Sequence, residues 1–157
     1  MEPDNNMAFY KVKRTNARDD DYRQLVTELD TELAIRDGEE HAFYASFNSS
    51  EHIKYTVLVY DGVAPVGCGA LKQYSPTVME IKRMYVRDSN RRRGIASLIL
   101  NELEYWAAEL NFPKCILETG KNQPEALQLY DKRGYKIIDN YGQYAEAENS
   151  ICFEKAV

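Results

Sequence analysis

Met79-Glu80-Ile81-Lys82-Arg83-Met84-Tyr85-Val86-Arg87-Asp88-Ser89-Asn90-Arg91-Arg92-Arg93-Gly94-Ile95-Ala96 is the stretch on which the reading of this chain turns. Its first part belongs to a strand over Thr77–Arg87, rich in β-branched and aromatic residues. A short polar loop follows. Gly94–Leu110 then carries Ile95, Leu98, Ile99, Leu103, Trp106 and Leu110 as one apolar stripe, the pattern of an amphipathic helix, with Asn111 as a left-handed stop. A helix start carries N–H groups without intrahelical partners and a partial positive charge, so it attracts phosphate. Gly94 lets a ligand approach the backbone, and three arginines add attraction and forked contacts. Three arginines alone read more readily as a solvated surface run than as a binding site. Their place between a strand and a helix, ahead of Gly-x-Ala, favours an anion site. The stretch is neither a Walker loop nor a dinucleotide fingerprint, since it lacks both Gly-Lys-Ser/Thr and Gly-x-Gly-x-x-Gly.

Upstream, Met7–Arg14 reads as a first strand. Arg18–Asp21 offers helix-capping groups, and Tyr22, Leu25, Val26, Leu29 and Leu33 continue at helical spacing to a stop at Gly38. A second short helix is expected around Glu39–Phe47. Tyr55–Tyr60 is a strand, Asp61-Gly62 a hairpin turn and Val63–Lys72 the returning strand, with Gly67 and Gly69 at a bulge. Ser75-Pro76 turns into the Thr77–Arg87 strand. Downstream, Lys114–Glu118 is a short buried strand and Pro124–Arg133 a helix ended by Gly134. Tyr135–Ile138 and Ser150–Glu154 are the last strands. The order describes a mixed α/β sheet with helices packed on it.

The chain has 157 residues, the size of one domain, and 44% hydrophobic residues, enough for a core. Its net charge of -5 lacks the basic footprint of nucleic-acid binding. No apolar run is long enough to cross a bilayer and the first residues are polar, so a cytoplasmic protein without a membrane partner is expected. Cys68, Cys115 and Cys152 are dispersed among apolar neighbours and read as buried thiols. With only two histidines, His41 and His52, and no ligand spacing, no metal site is expected.

Arg91-x-x-Gly94-x-Ala96 resembles the Gln/Arg-x-x-Gly-x-Gly/Ala motif of the GNAT superfamily of N-acetyltransferases. Glu80–Val86 is similar to that family's fourth strand. Asn122-x-x-x-Ala126-x-x-x-Tyr130-x-x-x-Gly134-Tyr135 is similar to its later asparagine, helix tyrosine and Gly-aromatic end. The specific likeness spans Met79–Tyr135. It implies a GNAT-like, mostly antiparallel sheet of about seven strands, with roughly four helices on both faces, as a single domain over residues 1–157.

The same resemblance implies acetyl-coenzyme A as co-substrate. The fourth and fifth strands should part around its pantetheine arm. Met84, Tyr85 and Val86 should offer backbone hydrogen bonds to that arm. The N–H groups of Arg92, Arg93, Gly94, Ile95 and Ala96 should wrap the pyrophosphate, with Arg91 fixing the loop or meeting a phosphate. Asn122 should reach the arm near its reactive end, and Tyr130 should stand near the sulfur. An acceptor amine with the lysine value of about 10.4 must lose a proton before it attacks, and a carboxylate can take it. Glu80 is the first candidate base and Glu118 the second; Glu118 could instead be structural or hold the substrate ammonium. Tyr130 is the candidate acid for the departing thiolate, and a fourth-strand N–H the donor to the developing oxyanion. Tyr141 and Tyr144, in an aromatic loop that reads equally as a surface hairpin, are candidates for the acceptor pocket; Tyr44 and Phe47 read first as core packing and second as closing the cleft. A primary amine of a small molecule is the expected acceptor. A protein N-terminus, or a non-catalytic acyl-coenzyme A binding module, is the alternative. Dimers are common among related folds, and no residue here specifies a homodimer.

Overall fold

A computed structural model describes residues 9–40 and 53–157. Seven strands form one sheet: β1 (Tyr10–Thr15), β2 (Tyr55–Asp61), β3 (Ala64–Ser75), β4 (Val78–Val86), β5 (Lys114–Gly120), β6 (Lys136–Ile138) and β7 (Ser150–Ala156). The spatial order is β1-β2-β3-β4-β5-β7-β6. Every neighbouring pair is antiparallel except β4 and β5. Three α-helices complete the described elements: α1 (Asp20–Asp37), α2 (Ile95–Glu109) and α3 (Pro124–Lys132). This is the expected class of fold.

Helix number is corrected to three among the described residues. The short helix expected around Glu39–Phe47 is, in its described part, a 3-10 turn over Gly38–Glu40. The rest of it, with Tyr44 and Phe47, lies outside the described residues, as do His41 and His52. Gly38, at φ +54, ends α1 in the left-handed region that glycine adopts without strain.

Each helix forms where local chemistry allows and then buries one stripe. Asp19 caps α1 by accepting from the N–H groups of Asp21 and Tyr22, and Asp20 and Asp21 add charge that suits the helix start. Tyr22, Leu25 and Leu29 of α1 are buried. Tyr22 and Leu25 join Ile53, Leu58, Cys68 and Ala70 in a small core on one sheet face. On the opposite face α2 buries Ile95, Ile99, Leu100, Leu103 and Ala107 against Val57, Val59, Leu71 and Ile81, and α3 adds Tyr130. Asn111, at φ +69, follows α2 as the expected left-handed stop. All three cysteines are free and buried.

Two glycines let α2 lie close to β3. A Cβ at Gly69 would stand 2.7 Å from Ile99 Cγ2, 2.8 Å from Met84 Sδ and 2.9 Å from Leu103 Cδ1. Gly67 is similarly close to Ile95 and Ile99. Gly69 also faces the irregularity that matters most. Cys68 pairs with Tyr85 and Ala70 with Lys82, so one residue of β3 faces two of β4, Arg83 and Met84. The bulge therefore lies on β4, and Arg83 adopts φ +60 there. Gly69→Val should cost roughly 1–3 kcal/mol through overpacking of the β3–α2 contact. Urea denaturation with an unchanged slope is the check; wild-type stability would mean that α2 has room to retreat.

Candidate active site

The parallel pairing of β4 and β5 is short. It runs from Val78↔Lys114 to Ile81↔Leu117. Beyond that point β4 pairs only with β3 and β5 only with β7, so the two strands part. A cleft of about 1170 Å³ opens there. Its walls come from α1, β4, the turn before α2, β5 and α3.

At one end of the cleft lies the turn from Arg91 to Gly94. Arg92 (φ +66) and Gly94 (φ +80) are both left-handed. No side chain caps Gly94, and the first helical hydrogen bond closes from Leu98 N–H to Gly94 O. The N–H groups of Ile95, Ala96 and Ser97 thus precede the helical ladder at the positive end of α2. Arg91, Arg92, Gly94, Ile95, Ala96 and Ser97 all border the cleft. Arg93 is exposed and stands off its wall. Arg91 ties the loop down: Nε donates to Val86 O at 2.8 Å and the guanidinium meets Glu32 of α1 at 2.8 Å. Two further pairs fasten α1 to β4 and its exit, Asp30 with Arg83 at 2.5 Å and Glu28 with Arg87 at 2.7 Å. Tyr85 OH also donates to Glu28. Met84, Tyr85 and Val86 line the parted edge of β4, and Asn122 lies exposed in the β5–α3 turn on the cleft border.

At the other end, the sheet face toward α1 gathers titratable groups. Glu80, Lys82 and Glu118 border the cleft with Tyr130 and Tyr144. Glu80 is only 5% exposed, not the solvent-facing carboxylate that a strand residue beside Lys82 could have been. It accepts from Tyr141 OH at 2.7 Å, and its other oxygen is 4.0 Å from Lys82 Nζ. Glu118 accepts from Ser150 Oγ at 2.7 Å. Burial pushes the Glu118 carboxyl up to about 7, against the lowering effect of the Ser150 hydrogen bond and the Lys82 charge; Glu80 and Asp37 add repulsion. Burial lowers the Lys82 ammonium, and Glu80 opposes that shift. Tyr144 is buried, and Lys82 Nζ donates to its hydroxyl at 3.5 Å.

Tyr130 reaches the cleft from the opposite core, where its ring packs against Tyr135 and Phe153. Burial and the Glu118 charge raise its phenol, so it stays protonated at neutral pH. Tyr141 stands behind Glu80, packed between Tyr74 and Tyr144, rather than on the cleft wall.

The candidate residues thus fall into two groups joined by one cleft: the amide turn at 91–96, and the Glu80, Glu118 and Tyr130 end. Lys82 and Ser150 were missed as site residues. Lys82 had a signal, since strand alternation puts it on the face of Glu80. Ser150 had none, because its partner is brought to it only by the β5–β7 pairing.

The comparisons with known proteins agree with this architecture. Residues 15–135 match the model of the acetyltransferase (GNAT) family. An uncharacterised N-acetyltransferase of Bacillus subtilis, YsnE, is 31% identical over 98 residues, which are 61% of this chain and 65% of that one. An IAA acetyltransferase of Azospirillum brasilense is 29% identical over 152 residues, 95% of this chain and 99% of its own. A solved GNAT family acetyltransferase from Elizabethkingia anophelis, with acetyl-CoA bound, superposes with a TM-score of 0.67 at 18% identity, covering 95% of this chain and 99% of that one.

The raised Glu118 carboxyl has a consequence for stability. Its folded value lies above that of the unfolded chain, so the folded state binds the proton more tightly. Stability from this group is full below about 4.5, falls as pH rises toward about 7, and is flat above. Glu118→Gln should therefore gain on the order of 2 kcal/mol over wild type at pH 8 and nothing at pH 4.5. Thermal melts at both pH values decide; equal gains would mean that the carboxyl is not held protonated by its burial. With a sheet parted between its two parallel strands, an uncapped amide turn at one end of the gap and a family model matched across residues 15–135, the chain belongs to the acetyltransferase (GNAT) family.

Proposed function

We propose that this acetyltransferase moves the acetyl group of acetyl-coenzyme A directly onto a primary amine of a small molecule. The observation that carries the reading is the continuity of one cleft from the amide turn to the buried carboxylates. Bound acetyl-coenzyme A would supply an acetyl group activated as a thioester. The turn fits its pyrophosphate, since two left-handed residues and an uncapped helix start leave N–H groups free to donate. Arg92, Gly94, Ile95 and Ala96, all on the cleft wall, supply those groups, while Arg93 stands off it. Arg91 holds the loop in shape from beneath. The parted edge at Met84, Tyr85 and Val86 offers main-chain partners to the pantetheine arm, and Asn122 borders the same channel.

Glu118 acts as the general base. A carboxyl near 7 is ionised for a useful fraction of the time and is basic enough to take an ammonium proton, which a carboxylate at its ordinary value does poorly. Glu80 has a different task. It accepts from Tyr141 OH and stands 4.0 Å from Lys82 Nζ, which places it to meet the acceptor ammonium. Tyr130 keeps its proton until the sulfur departs and then donates it. Tyr144 forms part of the acceptor wall.

Incubation with acetyl-coenzyme A and a panel of small amines and peptide N-termini, read by mass of the acetylated product, tests the assignment. A small amine should be acetylated. Product on peptides alone would shift the acceptor class, and coenzyme A binding without any product would point to a sensor. With the acceptor in hand, kcat/KM should rise with pH through an apparent pKa near 7, because the base must be ionised. Glu118→Gln should abolish that limb and lower turnover roughly 100-fold at pH 8. An unchanged limb in the variant would transfer the role to Glu80 or to water. Gly94→Glu should weaken coenzyme A binding at least tenfold in a calorimetric titration, through bulk and like charge at the phosphate cradle. Normal affinity would place the phosphates elsewhere.

A further inference from the structure

The three charged side chains at the acceptor end are not equally served. Each carboxylate has a good neutral donor: Tyr141 OH at 2.7 Å for Glu80, and Ser150 Oγ at 2.7 Å for Glu118. The cation between them has none as good. Lys82 carries three N–H donors. Among the described residues its ammonium makes one hydrogen bond, to Tyr144 at the long distance of 3.5 Å. Its ion pair with Glu80 spans 4.0 Å, beyond hydrogen-bond reach. Its side chain is only 5% exposed, so it meets far less water than a surface lysine does.

The neighbouring residue repeats the pattern. Arg83 has a side chain 1% exposed and is held by Asp30 through one nitrogen. Its buried Nε has no acceptor among the described residues. Arg83 sits in the β4 bulge, where it takes a left-handed backbone uncommon for a side chain of its size; Lys82, paired with Ala70, precedes it, and both border the cleft. The fold thus keeps two adjacent, under-served cations beside the reaction centre. An acceptor bearing only an amine would satisfy the carboxylates, which already have donors, and leave the cations as they are.

We infer that the acceptor carries an anionic group close to its reacting amine, as an α-amino acid does, and that Lys82 binds that group while Glu80 and Glu118 face the amine. The inference rests on the transfer reading above and narrows its substrate class. The 4.0 Å between Lys82 Nζ and Glu80 Oε1 sets the scale: anion and ammonium contacts lie within one small zwitterion of each other. Arg83 adds positive potential behind Lys82. Tyr144, already on Lys82, orients the ammonium toward the cleft.

The test uses the full chain saturated with coenzyme A, which has no acetyl group to transfer, so binding is read without chemistry. Calorimetry compares matched probes that differ only by the carboxylate: L-phenylalanine with phenethylamine, L-leucine with isopentylamine, L-methionine with 3-methylthiopropylamine and glycine with methylamine. In at least one pair the amino acid should bind roughly 10- to 100-fold tighter, the range expected for a hydrogen bond to a charged group. Lys82→Met should bring that ratio to within twofold, and Lys82→Arg should retain most of it. A ratio near one in every wild-type pair overturns the inference, whether or not Lys82→Met folds. So does a ratio that survives in Lys82→Met, while a merely structural lysine would weaken both members of a pair alike. Turnover of the same pairs with acetyl-coenzyme A separates this inference from the reading beneath it. Carboxylate-dependent binding without acetylated product would fault the transfer and support the anion contact.

Discussion

Four residue pairs join β4 to β5, and then the strands separate. The rest of the site depends on that short agreement. A sheet gains a hydrogen bond for nearly every residue it pairs, so two adjacent strands that stop pairing midway require a cause. The cause lies on the other edge of β4. Arg83 and Met84 both oppose Gly69, and the extra residue bends the strand and increases its twist. On its other side β5 stays with β7 along its whole length, Lys114↔Ala156 to Gly120↔Ser150, so only β4 turns away. Gly69 makes the bulge tolerable, because any larger residue would drive Met84, Ile99 and Leu103 apart. Three ion pairs from Glu28, Asp30 and Glu32 then hold α1 over the diverging strand. Each is partly exposed and is worth little alone. Together they fix a wall of the cleft to the strand that opens it.

Electrostatics divides the cleft into two chemistries. The turn end is positive because backbone amides point outward from α2, and this positive field cannot be titrated away. The acceptor end is built from side chains whose charge depends on surroundings. Glu80 and Glu118 lie on one face, yet Glu80 gains a phenol donor and Lys82 while Glu118 is pushed up to about 7 by burial. Two carboxylates with unlike environments can take unlike parts. Burial also pushes the Cys68 and Cys115 thiols up to about 12 and Cys152 to about 11, which leaves all three poor nucleophiles at neutral pH.

Much of this frame is legible in the residues because its signals are local. The α2 stripe, the Asp19 cap, the hairpin at Asp61-Gly62 and the stop at Asn111 each depend on neighbours within one or two turns, and each appears where local chemistry puts it. Gly67 and Gly69 are a partial case. They mark an irregular region, but the bulge at issue is on β4, and the glycines serve chiefly to admit α2. What escaped the reading is carried by long-range pairing. β7 inserts between β5 and β6, and only that insertion brings Ser150 to Glu118. Tyr141 reaches Glu80 across 61 positions, and Lys82 meets Tyr144 across 62. No period or spacing encodes such contacts. The same holds for the environment that raises Glu118, which depends on the sum of everything packed around it.

The burial of Lys82 bears on how the site was shaped. An ammonium removed from water costs several kcal/mol unless well paired, and an apolar residue of similar volume often serves stability better. Met79 and Ile81 of β4 carry the hydrophobic core on the opposite face of the sheet from Lys82. The fold nonetheless keeps Lys82 beside two carboxylates, with Tyr144 as its one, distant hydrogen-bond partner among the described residues. Had the lysine served only to neutralise Glu80, a closer pair would cost less, because attraction grows as separation shrinks. A cation held slightly apart from its counter-ion, on the wall of a cleft, is costly as a structural element and economical as a binding one. That asymmetry ties the charge pattern at the acceptor end to ligand recognition rather than to the stability of the sheet.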